Sequence, residues 1–167
     1  MMDGGICIGA FVWQEVVIPH TKFPVLLNAF LEDNPKTPGV EALGLALRTS
    51  NPMNWDDIEA FIRAVCDWAG KTGPRVLGQV LAVGTTDIEN DIRDAIIENA
   101  MHDAISQLGS VRPDPANALK QMLKIQGLDV SFASKHLRFL FPKYCPTLDS
   151  ILSYRLGYKP SPLCQHL

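Results

Sequence analysis

The stretch from Gly127 to Gly157, GLDVSFASKHLRFLFPKYCPTLDSILSYRLG, sets the reading of the whole chain. Gly127-Leu128-Asp129 interrupts a helical pattern, and Val130 to Phe141 then reads as a helix of about three turns. Val130, Ala133, Leu137, Leu140 and Phe141 form one apolar face, and Phe132, His136 and Phe139 form a second. Ser131, Lys135 and Arg138 make the only polar stripe. A helix apolar over most of its girth is normally buried, so Lys135 is expected to emerge into a groove rather than open water. Pro142 ends the helix, and Cys145 is held extended by Pro146. Thr147 is a good N-cap for a further helix. Asp149 falls in that helix's first turn, where free N–H groups and the helix dipole stabilise a carboxylate.

Upstream, Pro115 to Gln126 reads as a helix that Gly127-Leu128-Asp129 joins to the Lys135 helix. The turn of such a hairpin offers backbone N–H groups to a phosphate. Gly109 to Pro113 is a turn, and before it Thr86 caps a long helix reaching Leu108. Ile88, Ile92, Ala95, Ile96, Met101 and Ile105 are its expected apolar residues, and His102 reads as a partly buried core histidine beside them. Arg75 to Val83 is a helix between Gly73-Pro74 and Gly84. Asn54 caps Trp55 to Ala69, whose stripe is Ile58, Phe61, Ile62, Val65 and Trp68, with Asp56, Asp57 and Glu59 in its first turns. Val40 to Arg48 and Phe23 to Leu31 are shorter helices, separated by the turn signals Asn34-Pro35 and Thr37-Pro38-Gly39. Ile6 to Ile18 is rich in β-branched and aromatic residues and reads as a strand, a hairpin or an extended arm. The expected fold is therefore all-α, a multi-helix bundle of about eight helices in a single domain over residues 1–167. Residues 1–19 would form an N-terminal arm, and residues 114–157 a hairpin-helix motif.

Hydrophobic residues make up 47% of the 167 residues and charged ones 20%, the balance of a chain that buries a core. No apolar run reaches the length of a membrane span, and the N-terminus has no basic n-region, so no membrane association is expected. Cys7, Cys66, Cys145 and Cys164 are widely scattered. They are read as free thiols of a reducing cytoplasm, with no metal or other cofactor expected. Net charge is −3, but unevenly distributed: residues 1–100 hold 7 Lys/Arg and 14 Asp/Glu, whereas residues 101–167 hold 8 and 4. The positive surplus lies in the segment with the hairpin, where attraction to phosphates would act.

FASKHLRFL followed by PTLDSIL resembles the helix-hairpin-helix DNA glycosylases, in particular the 8-oxoguanine glycosylase branch. In those proteins an F-A-x-K helix is followed by a short loop and P-V-D-S-R at the next helix. Phe132, Ala133, Lys135, Asp149 and Ser150 are the matching positions, and the likeness covers roughly the last 45 residues. Asp129 stands where the family hairpin, L-P-G-V-G, has its second glycine, and Ile151-Leu152 stand where it has Arg-Val. The resemblance implies a DNA glycosylase with associated lyase activity on double-stranded DNA carrying a damaged or modified base. Lys135 would attack the sugar C1′ and form a Schiff base, and Asp149 would assist by electrostatics and proton transfer. Gly127, Asp129, Ser131, Arg138 and Lys124 would contact DNA, and Trp55, Trp68 and Phe132 would wall a pocket for the extruded base.

The chemistry suits these residue types. An amine attacks from its neutral form, which desolvation and nearby cations favour, and the apolar helix with Arg138 one turn on offers both. The competing reading is a non-catalytic helical module that binds DNA or a partner protein, with Lys135 and Asp149 as an internal ion pair. Trp55, Trp68 and Phe132 are then plain core residues.

Overall fold

A computed structural model describes residues 10–13 and 16–147. They contain seven α-helices and one two-stranded ribbon, so the all-α expectation holds. The chain divides into two compact units, Met1–Thr37 and Pro38–Leu167.

In the first unit, β1 (Ala10–Trp13) pairs antiparallel with β2 (Val16–Pro19), Trp13 opposite Val16 and Ala10 opposite Pro19. Of the strand, hairpin or arm foreseen here, the described residues form two antiparallel strands. A 3-10 turn, His20–Lys22, leads into α1 (Phe23–Asp33), with Pro24 in the first turn where no N–H is missed. Val25, Leu26, Leu27 and Phe30 of α1 are exposed.

The regular elements in the described part of the second unit are all helices. α2 (Thr37–Thr49) starts three residues before the expected Val40. Thr37-Pro38-Gly39 is not a separate turn but the opening of the helix, where a proline costs nothing. α3 (Trp55–Trp68) starts as expected: the Asn54 side chain accepts the Asp57 N–H at 2.9 Å. Ile58, Phe61, Ile62 and Val65 are buried along one stripe of α3, each worth roughly 1.5–3 kcal/mol of burial. α4 (Gly73–Val80) includes the Gly73-Pro74 pair in its first turn and stops before Val83. α5 (Asp87–Gly109), α6 (Pro115–Met122) and α7 (Val130–Leu140) complete the set. α3 lies at the middle, packed on α4, α5 and α7, with α6 bridging α5 and α7.

α5 is opened by a capping box. Thr86 accepts the Glu89 N–H at 3.2 Å, while the Glu89 carboxylate accepts from the Thr85 hydroxyl at 2.8 Å and from the Thr85 and Thr86 N–H groups. These bonds hold the Glu89 carboxyl below its ordinary range, the Thr85 hydroxyl contributing most. The core side of α5 differs from the expectation. Met101 is buried, but its companions are Ile97, Ala100, Ala104 and Leu108, while Ile88, Ile92 and Ile96 are exposed. Ile88 and Ile97 are nine residues apart, about half a turn around the axis, so the helix carries two apolar stripes and only one meets the core. His102, one position past Met101, lies off the core side and is exposed, not a core histidine.

Close approach of α2 to α7 depends on Gly44. A Cβ there would lie 2.9 Å from the carbonyl carbon of Phe139, closer still to its oxygen, and 3.3 Å from the Phe61 ring. The obstacle is helix backbone, which no rotamer change moves aside. Gly44→Ala is expected to cost about 2 kcal/mol, overpacking of up to ~3 kcal/mol being partly offset by alanine's helix propensity of ~1 kcal/mol. Gly39→Ala, in the same helix with open space around it, is expected to stabilise by ~0.5–1 kcal/mol instead. Thermal melts of the two variants check this, and a Gly44→Ala melting at or above wild type would contradict the packing.

Candidate functional site on the α6–α7 hairpin

α6 ends at Met122, four residues before the expected Gln126. The chain then turns through Lys124 N–H to the Gln121 carbonyl at 3.0 Å, Ile125 to Met122 at 3.1 Å and Leu128 to Ile125 at 3.2 Å. Gly127 has φ of 91°, and a Cβ on it would lie 2.7 Å from the Gln79 Cβ. Glycine is required there twice over, by backbone conformation and by contact with the end of α4. Asp129 is the N-cap of α7 and accepts the Phe132 N–H at 2.9 Å. The residue foreseen as a DNA contact therefore puts its own carboxylate at the helix N-terminus, the place an incoming phosphate would take.

Lys135 is half-buried on the second turn of α7. Its Nζ donates to the Ser131 Oγ at 3.0 Å and stands 4.6 Å from the centroid of the Phe132 ring. No carboxylate among the described residues pairs with it. Ser131, expected to touch DNA, is thus one turn before Lys135 and holds its amine. Asp149 and Ser150, the other half of the expected chemistry, lie outside the described residues.

Arg138, the nearby cation expected among the DNA contacts, is engaged within the fold. Its Nη2 donates to the Glu41 carboxylate at 2.8 Å, tying α7 to α2, and its guanidinium lies 5.3 Å from the Phe139 ring centroid. Arg48, which no local pattern singled out, reinforces the same contact. It donates to the Leu140 carbonyl at the end of α7 at 2.9 Å and stands 5.3 Å from the Phe141 ring centroid. Lys124 is exposed on the turn, and Lys143 is 5.3 Å from the Tyr144 ring centroid.

The three aromatic residues expected to wall a pocket are not gathered in one. Trp55 and Trp68 occupy opposite ends of α3, about 20 Å apart along its axis. Trp55 lies under Arg93, Trp68 meets Phe139 edge-on at 4.9 Å, and Phe132 is buried in the core. Two clefts are described elsewhere on the unit. One of about 590 Å³ is lined by Arg48, Asn51, Glu98, Asn99, His102 and Ser106 among others. The other, about 330 Å³, includes Lys124 in its wall. Lys135 lines neither.

His136, behind Lys135 on α7, is fully buried. Its Nδ1 faces the Phe132 carbonyl at 2.7 Å and must carry the proton, since the carbonyl can only accept. Nε2 is left as a buried acceptor without a partner among the described residues, and the ring packs edge-on against Phe61. Burial pushes His136 down to about 4, the Phe132 bond opposing and the Lys135 charge adding to the shift. Burial also pushes the Cys66 thiol up to about 11 and raises that of Cys145, so both free thiols are poor nucleophiles near neutral pH.

No cluster of metal-ligating side chains is present among the described residues, and no described helix is long and apolar enough to cross a membrane. No family model, curated protein or solved structure matches the chain.

Proposed function

We propose that the chain is a DNA glycosylase with associated lyase activity, of helix-hairpin-helix type, acting through a Schiff base on Lys135. The setting of that amine is the observation that supports the reading. It is half-buried on an otherwise apolar helix that follows a glycine turn, and its partner is a hydroxyl rather than a described carboxylate. A hydroxyl partner holds the amine in place and leaves it uncommitted to a described ion pair. In the proposed step the neutral amine attacks C1′ and the C1′–N bond breaks. The base departs with the bonding electrons and takes one amine proton; the C1′–O4′ bond then opens, its electrons going to O4′, which takes a proton from water, and the nitrogen lone pair forms the C=N bond of an iminium that keeps the second amine proton. Asp149 keeps the assisting role that the resemblance implies, and an oxidised guanine is the substrate nearest to hand by that resemblance.

The test is incubation with abasic-site DNA and borohydride, which delivers hydride to an iminium and fixes it as a stable secondary amine. A covalent protein–DNA adduct is the expected result. Its absence would end the covalent reading and leave the non-catalytic binding module in its place.

DNA affinity is expected to fall with salt. Lys124, Lys135 and Lys143 are cations of the hairpin region without a described carboxylate partner. Three phosphate contacts would lower the binding constant roughly 40-fold between 50 and 200 mM salt. Fluorescence titration of duplex DNA measures it, and a constant indifferent to salt would argue for a protein partner.

A further inference from the structure

The outward stripe of α5 stays outside the buried core of its unit. Ile88, Ile92 and Ile96 recur every fourth residue and are 70%, 56% and 44% exposed, and Val83 nearby is 83% exposed. Isolated apolar side chains on a surface are ordinary, but a contiguous aliphatic row is not. The two edges of the row are unlike. On one side Ile92 and Ile96 form part of the 330 Å³ cleft, whose other walls include Gln79 and Val80 at the end of α4, Val83 beyond it, and Lys124 and Ile125 on the hairpin turn. On the other side run Asp87, Asp91, Asp94 and Glu98, whose spacing of four, three and four residues keeps them on a single edge of the helix. Asp94 is paired with Arg93, whereas Asp87, Asp91 and Glu98 have no cationic partner among the described residues.

We propose that this face is the docking surface for an amphipathic helix of a partner protein, apolar on one side and flanked by lysine or arginine. The apolar row of that helix would lie in the cleft against Ile92 and Ile96, and its basic flank would lie over the acidic edge. Charge selects this occupant. A second copy of the chain, laid antiparallel on the same face, would set acidic edge against acidic edge and be repelled. Helix-in-groove recognition of this kind reads anchors at three- and four-residue spacing, the spacing that the isoleucines themselves show. Lys135 does not line the cleft, so the proposal stands apart from the reaction proposed above.

The probes are two synthetic helical peptides of equal length and identical leucine spacing, one with lysine and one with glutamate at the flanking positions. Each is titrated into the full chain and followed by fluorescence anisotropy. The lysine peptide is expected to bind saturably at one to one, and the glutamate peptide not to bind. The double variant Ile92→Asp/Ile96→Asp makes the face more acidic but less apolar, and it is expected to weaken the lysine peptide by on the order of tenfold or more. Both isoleucines are exposed, so the core is untouched by the change. Asp91→Lys/Glu98→Lys is expected to shift preference toward the glutamate peptide. Undiminished binding by the isoleucine variant would reduce the effect to bulk charge and overturn the proposal. So would failure of the wild-type chain to bind either peptide, or a wild-type dimer that the isoleucine variant dissolves.

Discussion

Lys135→Gln is expected to yield no borohydride-trapped adduct with abasic-site DNA under any condition in which the wild-type chain is trapped. Glutamine keeps most of the side chain's length and can still donate to the Ser131 hydroxyl, but its amide nitrogen is not a nucleophile. Stability should change little, because the lysine has no described ion-pair partner to lose. The contact with the Phe132 ring accounts for no more than about 1 kcal/mol. Adduct yield should fall by on the order of 100-fold or more while the circular dichroism spectrum and unfolding midpoint stay in place. Ser131→Ala supplies the companion measurement. It removes the hydroxyl that orients the amine but leaves the amine itself, so trapping is expected to persist at an altered rate. Undiminished trapping in Lys135→Gln would assign the reaction to another amine.

The second large effect is a loss of stability in acid that His136 brings with it. The ordinary value of 6.5 applies in the unfolded chain, and burial lowers it to about 4 in the native one. Between those values the unfolded state takes up a proton that the native state refuses. The contribution is therefore fully present above pH 6.5 and is lost as pH falls through the window toward 4. A gap of this size corresponds to about 3 kcal/mol across that window. Urea unfolding at pH 7.5 and pH 4.5 measures it, with His136→Phe as the reference. Phenylalanine preserves the edge-on contact with Phe61 and places a C–H where Nε2 now lacks a partner. The variant should show a smaller pH-induced loss by about 3 kcal/mol. An equal loss in both proteins would assign the acid sensitivity to other groups.

The helices were readable from sequence because their signals are local. Asn54 and Thr86 accept the N–H groups that their positions imply, and the stripe Ile58, Phe61, Ile62 and Val65 is buried as its spacing requires. α5 misled because it has two stripes half a turn apart, and periodicity alone does not say which of them meets a neighbour. The same ambiguity put His102 inside, although it is exposed. At the candidate site, Lys135 on a polar strip of an apolar helix was legible, as was the hairpin turn around Gly127. Arg138 was not, because its partner Glu41 lies 97 positions away, and Arg48 is separated from the Leu140 carbonyl by 92. Tertiary pairing of this kind leaves no periodic trace. The separation of the expected pocket aromatics was legible in the sequence: Trp55 and Trp68 are thirteen residues apart on one helix, which sets them at its two ends.

The doubled face of α5 also divides that helix in time. From Ile97 onward each turn is clamped by the core, so its amides can exchange with solvent only when the whole unit opens. The turns from Asp87 to Ile96 rest on the capping box, on the Gly84 N–H to Asn90 bond at 2.8 Å, on the bond from Arg93 to the Ala82 carbonyl at 2.8 Å and on Arg93 over the Trp55 ring. None of these residues is itself buried, so their unwinding withdraws no side chain from the core. Deuterium should therefore enter that half of the helix first, in one cooperative step, and a ligand that closes over the isoleucines would be seen as a slowing of this step alone.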